Sequence, residues 1–381
     1  MVLIISAYRE SLIKKRSRRL LLFFLIVGTL LGCTAHIYTP FQPEVSIRVE
    51  RQSRPRILAY ENGPVPFENS ILQQDPKLAY QVRHLKIQSI GENGQDGNLV
   101  EALYYRSNTV GKLPLVIVLP IWNDSLRYDL TYPPEKITST LRLRSNGVMH
   151  ILRVLGESKI FDLEAVGEAQ TEEQFLSRMA RVAQREIINI VDISRLVDWA
   201  EARNEIDAAR IGLIGFSRSA VTVGMVAVNE PRLAAVVLVM GGAHPHRILA
   251  TCDGDVGRAR DKILQRFGWT ASDYEQAIEP FFRPIDVANY PGRADSSRIL
   301  IFDAHEDECI PRSARDDLWE ALGRPTRISF LYGHNKSFLS MTPLGFNWMR
   351  REIYEFFEHT LGFRFDPEAQ SQVDARKGQS N

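Results

Sequence analysis

Three cysteines in 381 residues are too few for a disulfide scaffold, and none has the Cys/His spacing of a structural zinc site. An excess of one charge is also missing. Lys and Arg number 47 against 46 Asp and Glu, which leaves no electrostatic surplus for binding nucleic acid. There is no internal repeat, so neither a solenoid nor a propeller is expected. No apolar run reaches the ~20 residues of a comfortable membrane span. His244 and His246, in Gly-Gly-Ala-His-Pro-His, read as polar pocket residues at a strand end rather than metal ligands. No metal or other cofactor is expected.

What is present begins at the N-terminus. Lys14, Lys15, Arg16, Arg18 and Arg19 form a basic segment, and residues 20–31 are apolar, ending in Leu30-Leu31-Gly32-Cys33. A short apolar region between a basic segment and a small residue is the pattern of a secretory signal. With a cysteine directly after the small residue, the segment resembles a bacterial lipobox. That resemblance implies a signal peptide over 1–32, cleavage before Cys33, and diacylglycerol on its thiol. The chain would then be lipid-anchored at the cell envelope. Thr34, rather than Asp, follows the cysteine, and the resemblance to enteric sorting favours an outer membrane facing the periplasm if the host is Gram-negative. An uncleaved anchor is the alternative and leaves the rest of the chain on the same side. Residues 33–79 carry Pro40, Pro43, Pro55, Pro64, Pro66 and Pro76 and are expected to form a tether and an irregular arm. Residues 363–381 are polar and are expected to be a disordered tail.

Between these ends the sequence reads as strands and helices in alternation. Residues 80–90 alternate polar and apolar, as a half-exposed strand does, and 99–105 form the return strand after a glycine-rich turn. Beyond them the apolar runs become continuous, at 115–119, 148–154, 211–214, 233–240, 299–302 and 328–331. Continuous runs mark strands buried on both faces of a parallel sheet. Helical stripes are clearest at 172–203 and 343–361.

One strand end carries chemistry. The run Ile211 to Ile214 breaks at Gly215, and Ser217 sits at the break, ahead of a small-residue segment that can start a helix. A serine on so sharp a turn is forced out above the sheet with a helix N-terminus behind it. The pattern Gly215-Phe216-Ser217-Arg218-Ser219 is close to Gly-x-Ser-x-Gly, with Ser219 in the place of the last glycine. A Gly-Ser helix cap without chemistry is the alternative.

Residues 80–362 resemble the α/β-hydrolase fold. The lead-in Ile206-Asp207-Ala208-Ala209-Arg210-Ile211-Gly212 is similar to the dienelactone hydrolase and prolyl-oligopeptidase branches. The resemblance implies a mostly parallel eight-stranded sheet with helices on both faces and a cap inserted at about 244–292. It also implies the order nucleophile, acid, histidine. The acid should follow the strand at 299–302, where Ala304, Asp307, Ile310 and Pro311 match the family register and favour Asp307 over Asp303, Glu306 and Glu308. The histidine should follow the next strand, where Gly333-His334-Asn335 stands.

The oxyanion hole would take the N–H of Arg218 and, after Pro120, that of Ile121 or Trp122. Aromatic residues Phe267, Trp269, Tyr274, Phe281 and Phe282 in the cap either bind an apolar acyl group or simply pack. With Cys33 lipidated, Cys252 and Cys309 remain, and an oxidising compartment permits a bridge that would fasten the cap beside Asp307. The expected activity is that of a carboxylesterase acting on small-molecule or lipid-like esters. A peptidase or amidase of the same fold shares the triad, and a catalytically silent binding lipoprotein is the alternative outside enzymology.

Overall fold

The apolar runs at the centre of the chain become strands whose successive residues enter opposite cores. In the computed structural model, which describes residues 35–42, 55–61, 63, 65–74, 79–89, 99–121, 132–156 and 163–364, ten strands form one sheet. They are β1 (His36–Thr39), β2 (Phe67–Gln73), β3 (Tyr80–Gln88), β4 (Leu99–Ser107) and β5 (Leu113–Val118). There follow β6 (His150–Gly156), β7 (Ile206–Phe216), β8 (Leu233–Val239), β9 (Ile299–Ala304) and β10 (Thr326–Phe330). Their order is β1-β10-β9-β8-β7-β5-β6-β4-β3-β2. Leu115, Ile117, Leu213 and Leu238 point into one core. Their neighbours Val116, Val118, Ile214 and Val239 point into the other.

Among the described residues, ten α-helices cover the sheet and its rims. They are α1 (Pro133–Ser145), α2 (Leu163–Gly167), α3 (Glu172–Glu201), α4 (Arg218–Asn229) and α5 (Pro245–Thr251). After them come α6 (Gly254–Phe267), α7 (Ala271–Phe282), α8 (Arg312–Ala321), α9 (His334–Ser337) and α10 (Trp348–Leu361). Residues of α3, α4 and α7 join the first core, and those of α1 and α10 join the second. On that second side the strand needs a glycine, because a Cβ at Gly212 would lie 2.9 Å from the Phe357 ring of α10.

The expected hairpin forms in register from Tyr80↔Ser107 to Gln88↔Leu99. Five pairings, linking β6-β5-β7-β8-β9-β10, are parallel. Four pairings at the margins are antiparallel. The sheet is therefore mixed, and it has ten strands rather than eight. Both additional strands come from the stretch expected to be an irregular arm. β2 pairs with β3, and Phe67 packs edge-on to Trp199 at 6.2 Å. β1 pairs antiparallel with β10 and seals its free edge. Pro40 and Pro66 stand just outside these strands, where no ladder hydrogen bond is lost.

The closing helix begins at Trp348, later than its stripe suggested, because Phe346 and Asn347 have φ of 55° and 51°. Phe346 consequently leaves the apolar face and is 62% exposed. Phe363, placed in the tail by sequence, is buried against Tyr354. Residues 1–34, including the signal segment and Cys33, lie outside the described residues, as do Trp122 and residues 365–381. Among the described residues no helix is long and apolar enough to cross a membrane.

Candidate active site

The turn after β7 is built by close approach. A Cβ on Gly215 would stand 2.6 Å from the Ser219 carbonyl oxygen and 2.7 Å from a Val223 methyl, so no side chain fits. Ser217 takes φ 51° and ψ −115°, a conformation that non-glycine residues adopt only when their surroundings hold them there. Its N–H donates to the Val239 carbonyl at 2.7 Å, and α4 starts at the next residue. Ser219 explains its own departure from the glycine pattern. Its side chain turns back on the elbow, accepting the Phe216 N–H at 2.8 Å and donating to the Phe216 carbonyl at 3.1 Å.

The structure brings Ser217, His334 and Asp307 into one line, although they come from three separate strand ends. His334 Nε2 is 2.9 Å from Ser217 Oγ, and His334 Nδ1 is 2.8 Å from Asp307 Oδ2. The other Asp307 oxygen accepts the N–H groups of Cys309 at 2.9 Å and Ile310 at 2.8 Å. The Asp307 side chain is fully buried, and that of His334 is 8% exposed. A carboxylate at Nδ1 keeps the proton on that nitrogen and leaves the Nε2 lone pair facing the serine hydroxyl. The competing acids are otherwise engaged or remote. Asp303 is buried and accepts Arg327 Nε at 2.7 Å, Glu308 accepts the His334 N–H at 2.8 Å, and Glu306 is exposed.

Around the elbow lies a network that sequence reading missed. Arg218 donates from Nε to the Ile121 carbonyl at 2.9 Å and from Nη1 to Glu186 at 3.0 Å. Glu186 also accepts the Thr222 hydroxyl. The available signal was a carboxylate on a buried stripe, since Glu186 lies four residues after Val182 and four before Ile190 on α3. Arg218 N–H begins α4 beside Ser217. The Ile121 N–H, expected at the oxyanion position, donates to the Tyr132 hydroxyl at 2.7 Å.

Ser217 separates two spaces of different chemistry. On one side is an apolar cavity of about 110 Å³, walled by Ile190, Val221, Met225, Leu249 and Phe282. On the other is an open cleft of about 560 Å³ that meets Tyr132, Asp253, Glu308 and Asn335. Cys252 and Cys309 form a disulfide that borders both spaces and ties the end of α5 to the Asp307 loop. Of the five cap aromatics, Phe282 lines the cavity. Phe267, Trp269 and Tyr274 instead surround Phe175 of α3, with ring centroids 6.4, 5.7 and 5.3 Å away.

His244 joins Asp286 of its own segment, through Nδ1 at 2.7 Å, to Asp317 of α8, through Nε2 at 2.8 Å. The hydrogen bond that His244 donates to Asp286 raises the His244 pKa, while burial lowers that of His246. Among the described residues no group of three or more His, Cys, Asp or Glu is arranged to hold a metal ion.

No family model and no curated protein matches the sequence. Solved structures do match. An acetyl xylan esterase from a Thermoanaerobacterium species is 16% identical with a TM-score of 0.55, covering 84% of this chain and 99% of that one. Another from a Paenibacillus species is 16% identical with a TM-score of 0.53, covering 76% and 89%. At such identity the likeness is one of architecture, and the architecture of this chain is the α/β-hydrolase fold.

Proposed function

We propose that this chain is a serine hydrolase, specifically a carboxylesterase held at the cell envelope through lipid on Cys33. The observation that carries the reading is the continuous Asp307–His334–Ser217 line, with contacts of 2.8 and 2.9 Å. Ser217 Oγ attacks the ester carbonyl carbon while His334 Nε2 takes the hydroxyl proton. The negative charge that develops on the carbonyl oxygen is met by the Arg218 N–H and, once the Tyr132 hydroxyl yields, by the Ile121 N–H. As the intermediate collapses, the C–O bond to the alcohol breaks and His334 returns the proton to the departing oxygen. Water then attacks the acyl-serine with His334 again as base, and Ser217 regains its proton. Asp307 stabilises the imidazolium throughout without itself taking the proton.

The two spaces suggest how an ester would lie. The acyl group enters the apolar cavity, and the alcohol points into the open cleft. An apolar cavity of ~150 Å³ accommodates a benzene ring. A volume of about 110 Å³ therefore fits an acyl chain of roughly four carbons by the same measure. A peptide would need hydrogen-bonding partners along its chain, and the apolar cavity offers few.

Fluorophosphonate labelling tests the reading. Wild type should label, and Ser217→Ala and His334→Ala should not. Turnover of esters of graded acyl length should peak at short chains and exceed that of matched amides. A folded wild type that takes no label would overturn the hydrolase assignment and leave a binding protein built on this fold.

A further inference from the structure

We propose that the rim of the cleft formed by residues 331–346 rests on a lipid bilayer, so that the Ser217 site opens toward the membrane. The proposal rests on the reading of Cys33 as the lipid anchor and adds an orientation and a substrate class: esters whose alcohol portion is embedded in the bilayer.

The first observation concerns the length of the tether. The Leu331 N–H donates to the Ala35 carbonyl at 3.0 Å, and β1 starts at the next residue. The chain is therefore bound into the sheet only two residues after Cys33. Two extended residues reach at most about 7 Å, so an anchored Cys33 cannot hold the domain away from the bilayer. β1 runs antiparallel to β10, with His36 opposite Phe330. The anchored end therefore lies at the carboxyl ends of the parallel strands, where Ser217, Asp307 and His334 also stand. His334 is three residues beyond Leu331.

The second observation is the surface next to that point. Leu331, Leu339, Leu344 and Phe346 are 42%, 37%, 58% and 62% exposed. Tyr38 on the adjoining β1 is 60% exposed and shares the face of Ile328 and Phe330, whereas Ile37 points to the other face. The rim residues with Tyr38 are five of the eleven exposed large hydrophobic residues among those described. Clustering of this kind marks an interaction surface, whereas scattered exposed residues do not. Lys336 is exposed in the same stretch, and a lysine can lay its methylenes on apolar surface while its ammonium reaches lipid headgroups. The patch continues into the site. Phe338 lines the cleft, and its ring centroid is 5.9 Å from that of His334. A substrate whose alcohol is bilayer-embedded would pass from the apolar rim to Ser217 without crossing bulk water.

The test uses the full chain, with its anchor, in vesicles of phosphatidylcholine containing a minor fraction of phosphatidylglycerol. Two probes are compared: a water-soluble acetate ester and a long-chain alcohol acetate carried in the vesicles. Leu344→Ser with Phe346→Ser changes two exposed residues outside the catalytic line. The double variant should turn over the soluble ester at the wild-type rate and the vesicle ester about tenfold more slowly, through lost apolar contact with the bilayer. Equal rates on the vesicle ester, or equal losses on both esters, would overturn the docking proposal. A fall in sedimentation mass without a selective loss on vesicles would also overturn it, by making the patch a contact between copies of the chain. Mass spectrometry of the N-terminal peptide reads the anchor separately. An unmodified Cys33 would remove the anchor reading and this proposal together, whereas a lipidated Cys33 with unaffected vesicle turnover would remove the proposal alone.

Discussion

Arg218 holds Ile121. The guanidinium of the residue after the candidate nucleophile donates to the carbonyl of the opposite loop at 2.9 Å. Both expected sources of oxyanion stabilisation are thus joined through one side chain, whose own position is set by Glu186 on α3. The Arg218 and Glu186 side chains are 12% and 10% exposed, so the pair is sheltered from the screening that weakens surface ion pairs.

Replacing the carboxylate should loosen that arrangement without touching Ser217. For Glu186→Gln, kcat on a short ester should fall about tenfold with a smaller change in KM, as expected when transition-state stabilisation is impaired. Stability should fall by about 1–3 kcal/mol with the loss of charge-assisted hydrogen bonds. Steady-state kinetics and urea unfolding read the two effects separately. An unchanged kcat would show that Ile121 keeps its place without this support.

Ser219 is 2% exposed and satisfies the Phe216 N–H. Ser219→Ala leaves that buried donor unpaired, which should cost about 1–3 kcal/mol. Because the elbow holds Ser217 at φ 51°, the same variant should also take a fluorophosphonate label more slowly than wild type. Equal stability would mean that the Phe216 N–H finds another partner.

Tyr132 occupies the Ile121 N–H in the free protein. In the proposed mechanism the substrate oxygen takes this N–H, so substrate would have to displace the hydroxyl. Tyr132→Phe removes the competitor. The expected result is a lower KM with kcat held within about threefold of wild type. A fall in kcat of about a hundredfold, the loss that accompanies removal of an oxyanion donor, would instead identify the hydroxyl as the donor.

His150 supplies a pH dependence of stability remote from the catalytic line. It is fully buried, its Nδ1 accepts the Ser107 N–H at 2.9 Å, and its Nε2–H donates to the Glu205 carbonyl at 3.1 Å. Burial pushes its pKa down from 6.5 to about 4. Between those values the unfolded chain binds the proton and the folded chain does not. The resulting stability is complete above pH 6.5 and is lost as pH falls toward 4. The loss amounts to about 3 kcal/mol. His150→Asn keeps an acceptor near Nδ1 and does not titrate. Its urea midpoint should therefore vary less than that of wild type over this range, and an identical profile would assign the acid sensitivity elsewhere.

Ser217 and His334 were legible as residues at the ends of apolar runs, whereas Asp307 was picked out from Asp303, Glu306 and Glu308 only by the register that the family resemblance implies. Their distances were not legible. Ser217 and His334 are 117 residues apart in sequence, and only the sheet order, with β7, β8, β9 and β10 side by side, puts their strand ends together. The cap aromatics show the reverse case. Composition marks Phe267, Trp269 and Tyr274 as apolar payload, but whether they face a substrate or Phe175 depends on how α7 settles on α3.

Period and punctuation along the chain determined the central strands buried on both faces and where a serine must be pushed into a strained turn. These are local properties, set by side-chain alternation and by the space that only glycine leaves. Partnership was decided by the tertiary structure. Glu186 meets Arg218, Tyr132 meets the Ile121 N–H, and β1 closes the sheet beside β10. Each of these contacts joins separate elements of the fold, and a sequence pattern with a period of a few residues carries no information about which distant surface will arrive.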